Sequence, residues 1–240
     1  MILKRDDSFK AVCEIRTRID LDKYRIGTGL FVCSHIDDNR YYGWIITASH
    51  VAVETTEKSE IVVSTEDGKA KAIPLEMFGP ISNWKHHPFA DLSVFQVFFS
   101  EANEAILEKR FFPYDHICTT KDVISRDAEL TCIGFPQGLG TSGAFSPFSF
   151  RSYAASSYVT LSRADNGKMS DFFCLENPSM GGYSGGPVFD LGYSTNGLIT
   201  MTKEKTWCLG FIHGTMSDKT GGKIALVTPS FYLKDIMVGY

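Results

Sequence analysis

The sequence has no run of Lys and Arg, no CxxC pair, no Cys/His metal spacing and no Asn-x-Ser/Thr sequon, since Asn177 is followed by Pro178. Each gap excludes something. With 24 Lys+Arg against 28 Asp+Glu and no basic run, the chain lacks the electrostatic footprint of a nucleic-acid binder. Its six cysteines, at 13, 33, 118, 132, 174 and 208, do not form a recognisable metal set. No stretch approaches the roughly 18–20 apolar residues of a membrane helix, so no membrane partner is expected. The N-terminus, Met-Ile-Leu-Lys-Arg-Asp-Asp, places charges where a signal peptide has its apolar stretch. A cytoplasmic setting with free thiols is therefore expected. The alternative is a secreted protein whose leader has been removed.

What is present is the composition of an ordinary globular protein: 240 residues, 43% hydrophobic and 22% charged, ample for a sizeable core. Short β-rich runs separated by turn residues dominate. Strands are predicted at Ala11–Arg16, Gly29–Cys33, Tyr41–Thr47, Glu60–Ser64, Leu92–Phe98, Glu129–Gly134, Ser157–Leu161, Pro187–Phe189, Cys208–His213 and Lys223–Val227. Asp37-Asp38-Asn39, Asp67-Gly68, Asp165-Asn166-Gly167 and Gly221-Gly222 punctuate them. Helices are predicted only at Glu101–Arg110, after a Ser100 cap, and at Ser230–Val238, after Pro229. The segment Gly134–Phe150, rich in Gly, Ser, Pro and Phe, reads as a long irregular loop. The fold class is all-β in two halves, joined through roughly Ser100–Asp127.

Three stretches concentrate chemistry. In Gly181-Gly182-Tyr183-Ser184-Gly185-Gly186-Pro187, glycines flank a serine, permitting a tight turn that exposes the hydroxyl and aims successive N–H groups at one point. A plain Gly-rich hairpin is the bland reading. Ile45-Ile46-Thr47-Ala48-Ser49-His50 delivers a histidine at the tip of an apolar strand, the placement a general base needs. Taken singly, a surface histidine is the commoner outcome. In Phe89-Ala90-Asp91-Leu92-Ser93-Val94 an aspartate opens a hydrophobic strand, where a carboxylate is costly unless it accepts hydrogen bonds; a strand-initiating turn Asp is the bland reading. His86 and His87 also stand here, but adjacent histidines on extended chain point opposite ways and suit one metal ion poorly.

Thr-Ala-x-His, Asp-Leu-x-Val and Gly-x-Ser-Gly-Gly-Pro, in that order over about Ala11 to Val238, resemble the chymotrypsin/trypsin-like serine proteases. The resemblance implies two six-stranded antiparallel β-barrels with a C-terminal helix: residues 1–110 carrying His50 and Asp91, and residues 111–240 carrying Ser184. It implies that Ser184 is the nucleophile, His50 the general base and Asp91 its orienting carboxylate, acting through an acyl-enzyme. The backbone N–H groups of Gly182 and Ser184 would form the oxyanion hole. Gly29 would pack structurally behind the histidine. Pro178, Ser179, Ile212, His213 and Gly214 would lie at the substrate pocket. Neither a metal nor an organic cofactor is implied, and the partner is a protein or peptide substrate.

The departures narrow the resemblance. Tyr183 stands where zymogen-type members carry the Asp that binds a newly cut N-terminus, so that activation is not expected. The pattern is closer to the bacterial high-temperature-requirement proteases and the glutamyl endopeptidases. Val51 follows His50 where secreted animal members have a half-cystine, and Asp190 stands where Cys132 would find its partner. Pro178 occupies the position of the trypsin-type acid, so a Lys/Arg preference is not implied. Gly210-Phe211-Ile212-His213 is one residue longer than the Gly-x-His that holds Glu or Gln in related proteases. Two alternatives stay open: a catalytically silent binding module on the same fold, and an esterase or acyl-transferase with the same triad. A targeting or regulatory partner protein is also compatible with so short a chain.

Overall fold

Alternation of apolar side chains sets the architecture of the first half. The computed structural model describes residues 1–3, 5–21, 23–37, 40–122, 124–196, 199–203 and 205–237. The first sheet comprises β1 (Val12–Asp20), β2 (Lys23–Asp37), β3 (Arg40–Thr47), β4 (Glu60–Ser64), β5 (Ala70–Pro74), β6 (Trp84–His86), β7 (Ser93–Val97) and β8 (Phe112–Pro113). They lie in the order β5-β4-β1-β2-β3-β7-β6, antiparallel throughout, while β8 pairs with β2 in parallel. On one face Ile15, Phe31, Ile45, Ile61 and Phe95 close a local core. On the alternate face Leu30, Val32, Trp44 and Ile46 meet Ile133, Phe135, Phe189 and Phe211 of the second half. The shared core thus locks the two halves together along the surface where the site lies.

The second half contains β9 (Leu130–Gly134), β10 (Phe148–Ser152), β11 (Val159–Ser162), β12 (Met169–Leu175), β13 (Pro187–Asp190), β14 (Tyr193–Asn196), β15 (Ile199–Thr202), β16 (Trp207–Ser217) and β17 (Lys223–Pro229). Seven of these form one sheet in the order β10-β9-β13-β16-β17-β12-β11, and β14–β15 form a separate ribbon. The all-β class, the two antiparallel sheets and the C-terminal helix agree with the sequence; the departure is in strand number and in barrels that stay open. The sheets hold eight and seven strands, and the first runs from an edge at β5 to an edge at β6 without closing. Two 3₁₀ turns, Leu75–Met77 and Ile81–Asn83, separate those edges, and Pro80 between them has no N–H to donate to a ladder.

Pairing also lengthens strands beyond their hydrophobic cores. β2 runs well past the predicted Gly29–Cys33 because β1 and β3 hydrogen-bond both its edges. The predicted loop Gly134–Phe150 ends in β10, which pairs with β9 from Phe148 to Ser152. The helix after Ser100 forms over Glu101–Leu107, with the Ser100 N–H donating to Asn103 Oδ1 at 3.0 Å. The predicted closing helix is shorter: a 3₁₀ turn at Ser230–Tyr232 leads into a helix over Leu233–Ile236. Val238 and the Asp38-Asn39 part of a predicted turn lie outside the described residues. No helix among the described residues is long and apolar enough to cross a membrane. All six cysteines are free.

Candidate active site

The site begins with a strand register. Thr47 at the end of β3 lies opposite Ser93 at the start of β7, so the chain just past one and just before the other must meet. His50 and Asp91 are the residues so placed. Ser49 reinforces the junction, its hydroxyl donating to the Leu92 carbonyl at 2.8 Å. His50 sits in a short helical turn, Ser49–Ala52, with its ring partly open to solvent, whereas Asp91 is fully buried.

Four donors converge on the Asp91 carboxylate. Oδ1 accepts the His50 backbone N–H at 3.0 Å and Arg163 Nη2 at 3.1 Å. Oδ2 accepts His50 Nδ1 at 2.7 Å and His213 Nδ1 at 2.5 Å. Burial by itself would raise the Asp91 pKa, but the bonds from His213 and His50 outweigh it and hold the carboxyl well below the usual carboxylate range. An ionised carboxylate only accepts, so both imidazoles present Nδ1–H to it. The Nε2 of His213 accepts the Ala164 N–H at 3.4 Å. Donor atoms of His50, Asp91 and His213 all lie within 4.8 Å of one another. Both Nδ1 protons are already spent on Asp91 and a guanidinium shares the carboxylate, so the cluster is built for proton work and opposes a cation.

Ser184 is presented by a loop whose glycines are dictated by space. Gly182 has φ +99°, and a Cβ there would stand 2.2 Å from the Phe135 carbonyl oxygen. Gly185 has φ +79°, and a Cβ would meet Thr47 Oγ1 at 2.0 Å. No L side chain fits either position without displacing backbone. The Gly181 carbonyl accepts the Gln137 N–H at 2.8 Å. Because C=O and N–H point oppositely across a trans peptide, the Gly182 N–H is thereby turned away from Gln137. Among the described residues no acceptor is found for the N–H of Gly182 or of Ser184. The loop is tied to the first half by Thr28, whose N–H donates to the Ser184 carbonyl at 2.8 Å and whose hydroxyl donates to the Gly182 carbonyl at 2.7 Å. Tyr183 points the other way, buried in the second core and edge-on to Phe150.

The Ser184 hydroxyl donates to the His213 carbonyl at 3.3 Å. Ser184, His50 and Gly182 line one cavity of about 370 Å³, walled by Ile15, Ile26 and Val51. Arg25 and Glu54, which form an ion pair, also line it.

The residues predicted at a substrate pocket scatter. Pro178 is exposed. Ser179 is buried and bound to Thr215, the two hydroxyls lying 2.9 Å apart. Ile212 is in the core, its N–H bonding Gly186 and its carbonyl Gly185. Gly214 borders open space on its side-chain side. His213 departs furthest from the prediction. The register of β16 against β17 slips between Ile212 and Gly214, leaving His213 as the extra residue of a bulge. A bulge re-aims its side chain, and this one turns His213 inward onto Asp91 instead of along a pocket wall. His86 and His87 part company as predicted, to Ser93 and Asp235 respectively. Arg163 was invisible to motif reading because Asp165-Asn166-Gly167 beside it signals only a turn.

A buried carboxylate holding a strand-end histidine, beside a serine in a glycine-ringed loop on two packed β-sheets, defines a chymotrypsin-like hydrolase. The family model for the trypsin-like peptidase domain matches residues 27–195. The chain belongs to the trypsin-like peptidase family and is a serine protease by class. Among solved structures it is similar to the active form of the Rv3671c protease from M. tuberculosis, at 16% identity and TM-score 0.60, covering 97% of this chain and 81% of that one. An inactive serine-to-alanine form of the same protein matches at 16% identity and TM-score 0.57, covering 97% and 87%. The apo MamO protease domain from Magnetospirillum magneticum matches at 15% identity and TM-score 0.59, covering 97% and 96%. At such identities the likeness is one of fold. No curated protein matches the chain in sequence.

Proposed function

We propose that the protein is an endopeptidase in which Ser184 attacks the scissile carbonyl, His50 carries the proton to the leaving amine, and Asp91 fixes the imidazole. The observation that carries this reading is the pair of hydrogen bonds from His50 to Asp91, side chain at 2.7 Å and backbone at 3.0 Å, beside a cavity shared with Ser184. The double attachment holds Nδ1–H on the carboxylate and leaves Nε2 to accept the serine proton. The N–H groups of Gly182 and Ser184 supply the oxyanion donors. β16 beyond Ile212 pairs with β17 on one edge, while its pairing with β13 ends at Phe211. That supports docking of the substrate's acyl side as an added strand along residues 213–217. The buried Tyr183 braces the serine loop from within the core, which supports activity without capture of a new N-terminus. The six free thiols support a cytoplasmic setting, with any targeting left to a partner protein.

One observation favours a second reading, a silent binding module: the Ser184 hydroxyl is turned to the His213 carbonyl. In the active reading this is a resting rotamer, and a turn about χ1 delivers Oγ to His50. A fluorophosphonate decides between them. Covalent labelling of wild type, absent in Ser184→Ala and His50→Ala, supports the triad; no labelling of folded protein beside a reacting control overturns it. Parallel turnover of peptide and ester substrates separates a peptidase from an esterase or acyl-transferase.

A further inference from the structure

Asp91 is reached from the second half by a buried arginine that the reaction itself does not call for. Arg163 is 4% exposed and lies just after β11, in the turn leading to β12. Its guanidinium is fully engaged: Nη1 donates to the Phe89 carbonyl at 2.9 Å, Nη2 to Asp91 Oδ1 at 3.1 Å and to Asp165 Oδ2 at 2.5 Å, and Nε to Asp165 Oδ1 at 2.9 Å. Two of these partners, Phe89 and Asp91, belong to the first half. A buried guanidinium against a buried carboxylate is a strong charge in a weakly screened place. Asp165 opposes it from the outer side, its carboxylate partly exposed at 22%.

We infer that Arg163 and Asp165 are positioning residues that set the basicity of His50 through Asp91. The inference rests on the reading of Asp91 and His50 as the catalytic pair. Arg163 occupies the carboxylate oxygen that also bears the His50 backbone bond, and so fixes the rotation of the carboxyl group. Its positive charge cancels part of the negative charge that stabilises the His50 imidazolium, and Asp165 returns part of that negative charge. The chain Asp165–Arg163–Asp91–His50 therefore alternates in sign, and each link shifts the histidine's proton affinity in a defined direction. Other charged or titratable groups around His50 are His213, ring to ring at 5.5 Å, and the Arg25–Glu54 pair in the cavity wall. On the Arg163 hairpin Lys168 reaches the Pro88 carbonyl at 3.5 Å. Before β7, His87 is bound to Asp235 and His86 to Ser93. Lys168 meets Arg163 only through the backbone, its carbonyl accepting the Arg163 N–H at 2.8 Å, and His87 feels the Arg163 charge without bonding to it, so the ring of His50 itself is the group to be followed.

The test is the titration of the His50 ring by NMR in the full chain, with the pH profile of kcat/KM as a second readout. Arg163→Met removes the cation and is expected to raise the His50 midpoint by about one pH unit. Asp165→Asn strips Arg163 of its counter-charge and is expected to lower the midpoint by about half a unit. Arg163→Lys keeps the charge and is expected to hold the midpoint near wild type. Opposite shifts in the first two variants are the signature, since a purely structural role moves both the same way or neither. Shifts of equal sign, or none in Asp165→Asn, overturn the inference. Should Arg163→Met fail to fold, Asp165→Asn alone decides it. The ring titration needs no turnover, so a wild type inert to fluorophosphonate would sink the protease mechanism while leaving this measurement intact.

Discussion

His213 stands to Asp91 as His50 does: each imidazole gives its Nδ1 proton to the same carboxylate oxygen, at 2.5 and 2.7 Å, from opposite halves of the molecule. Only His50 keeps a free side toward solvent. His213 is spent at Nδ1 on Asp91, at Nε2 on Ala164 and at its carbonyl on Ser184. His213→Ala is predicted to lower kcat by about 10- to 100-fold with little change in KM, the scale of a charge-assisted bond lost from a buried carboxylate. Steady-state kinetics on a peptide substrate check this; an unaltered kcat would make His213 mere packing.

Loss of the proposed nucleophile and base should behave as loss of one unit. Ser184→Ala and His50→Ala are each predicted to abolish nearly all peptide hydrolysis, and the double variant to be no worse than either single one. A His50→Ala enzyme with near-normal turnover would mean that the base lies elsewhere.

Gly182→Ala is predicted to lower kcat by about 10²- to 10³-fold, because it disturbs one of the two proposed oxyanion donors. It should also destabilise the fold, since its Cβ enters the Phe135 carbonyl at φ +99°. Urea unfolding run beside the kinetics separates the two effects, and a variant that is both stable and fully active would remove Gly182 from the oxyanion role.

The depressed Asp91 carboxyl carries a stability consequence whose sign is fixed. Its folded pKa lies below its ordinary value of 3.8, so the stabilisation is complete above about pH 4 and is lost as pH falls through the folded value. Between pH 6 and pH 2.5 the urea midpoint of wild type should fall more steeply than that of Asp91→Asn. Parallel curves would show that the carboxylate contributes no such linkage.

Thiol chemistry should follow burial. Cys13, Cys132 and Cys208 are fully buried, and burial pushes their pKa values far up; that of Cys33, partly buried, is pushed up to about 11. With a maleimide under native conditions, Cys118 and Cys33 are predicted to react before the other four, and all six to react once denatured without reductant. Three disulfides surviving denaturation would overturn the proposed cytoplasmic setting.

The parts of this site that are local in sequence were readable before the fold. Thr47-Ala48-Ser49-His50 and Gly182-Tyr183-Ser184-Gly185 announce themselves because each packs its geometric requirement into adjacent residues. Asp91 is legible only through its company. His213 and Arg163 are not legible in these roles, since one depends on a one-residue slip between β16 and β17 and the other on a hairpin of one half reaching the other. The strands tell the same story: Glu60–Ser64 shows in its apolar pattern, whereas β10, hidden in a Gly/Ser/Pro-rich stretch, exists because β9 offers it an edge. Local chemistry is written in the chain, and pairing across distance is not.

The shared core between the sheets has one more consequence. His50 and Asp91 leave the ribosome well before Arg163, Ser184 and His213, and a first half alone holds a carboxylate stripped of two of its four donors. On the proposed mechanism, hydrolytic competence is therefore conditional on assembly: a first half alone carries neither Ser184 nor the residues of the second half that clamp Asp91. On that mechanism, turnover becomes a direct report that the two halves have joined.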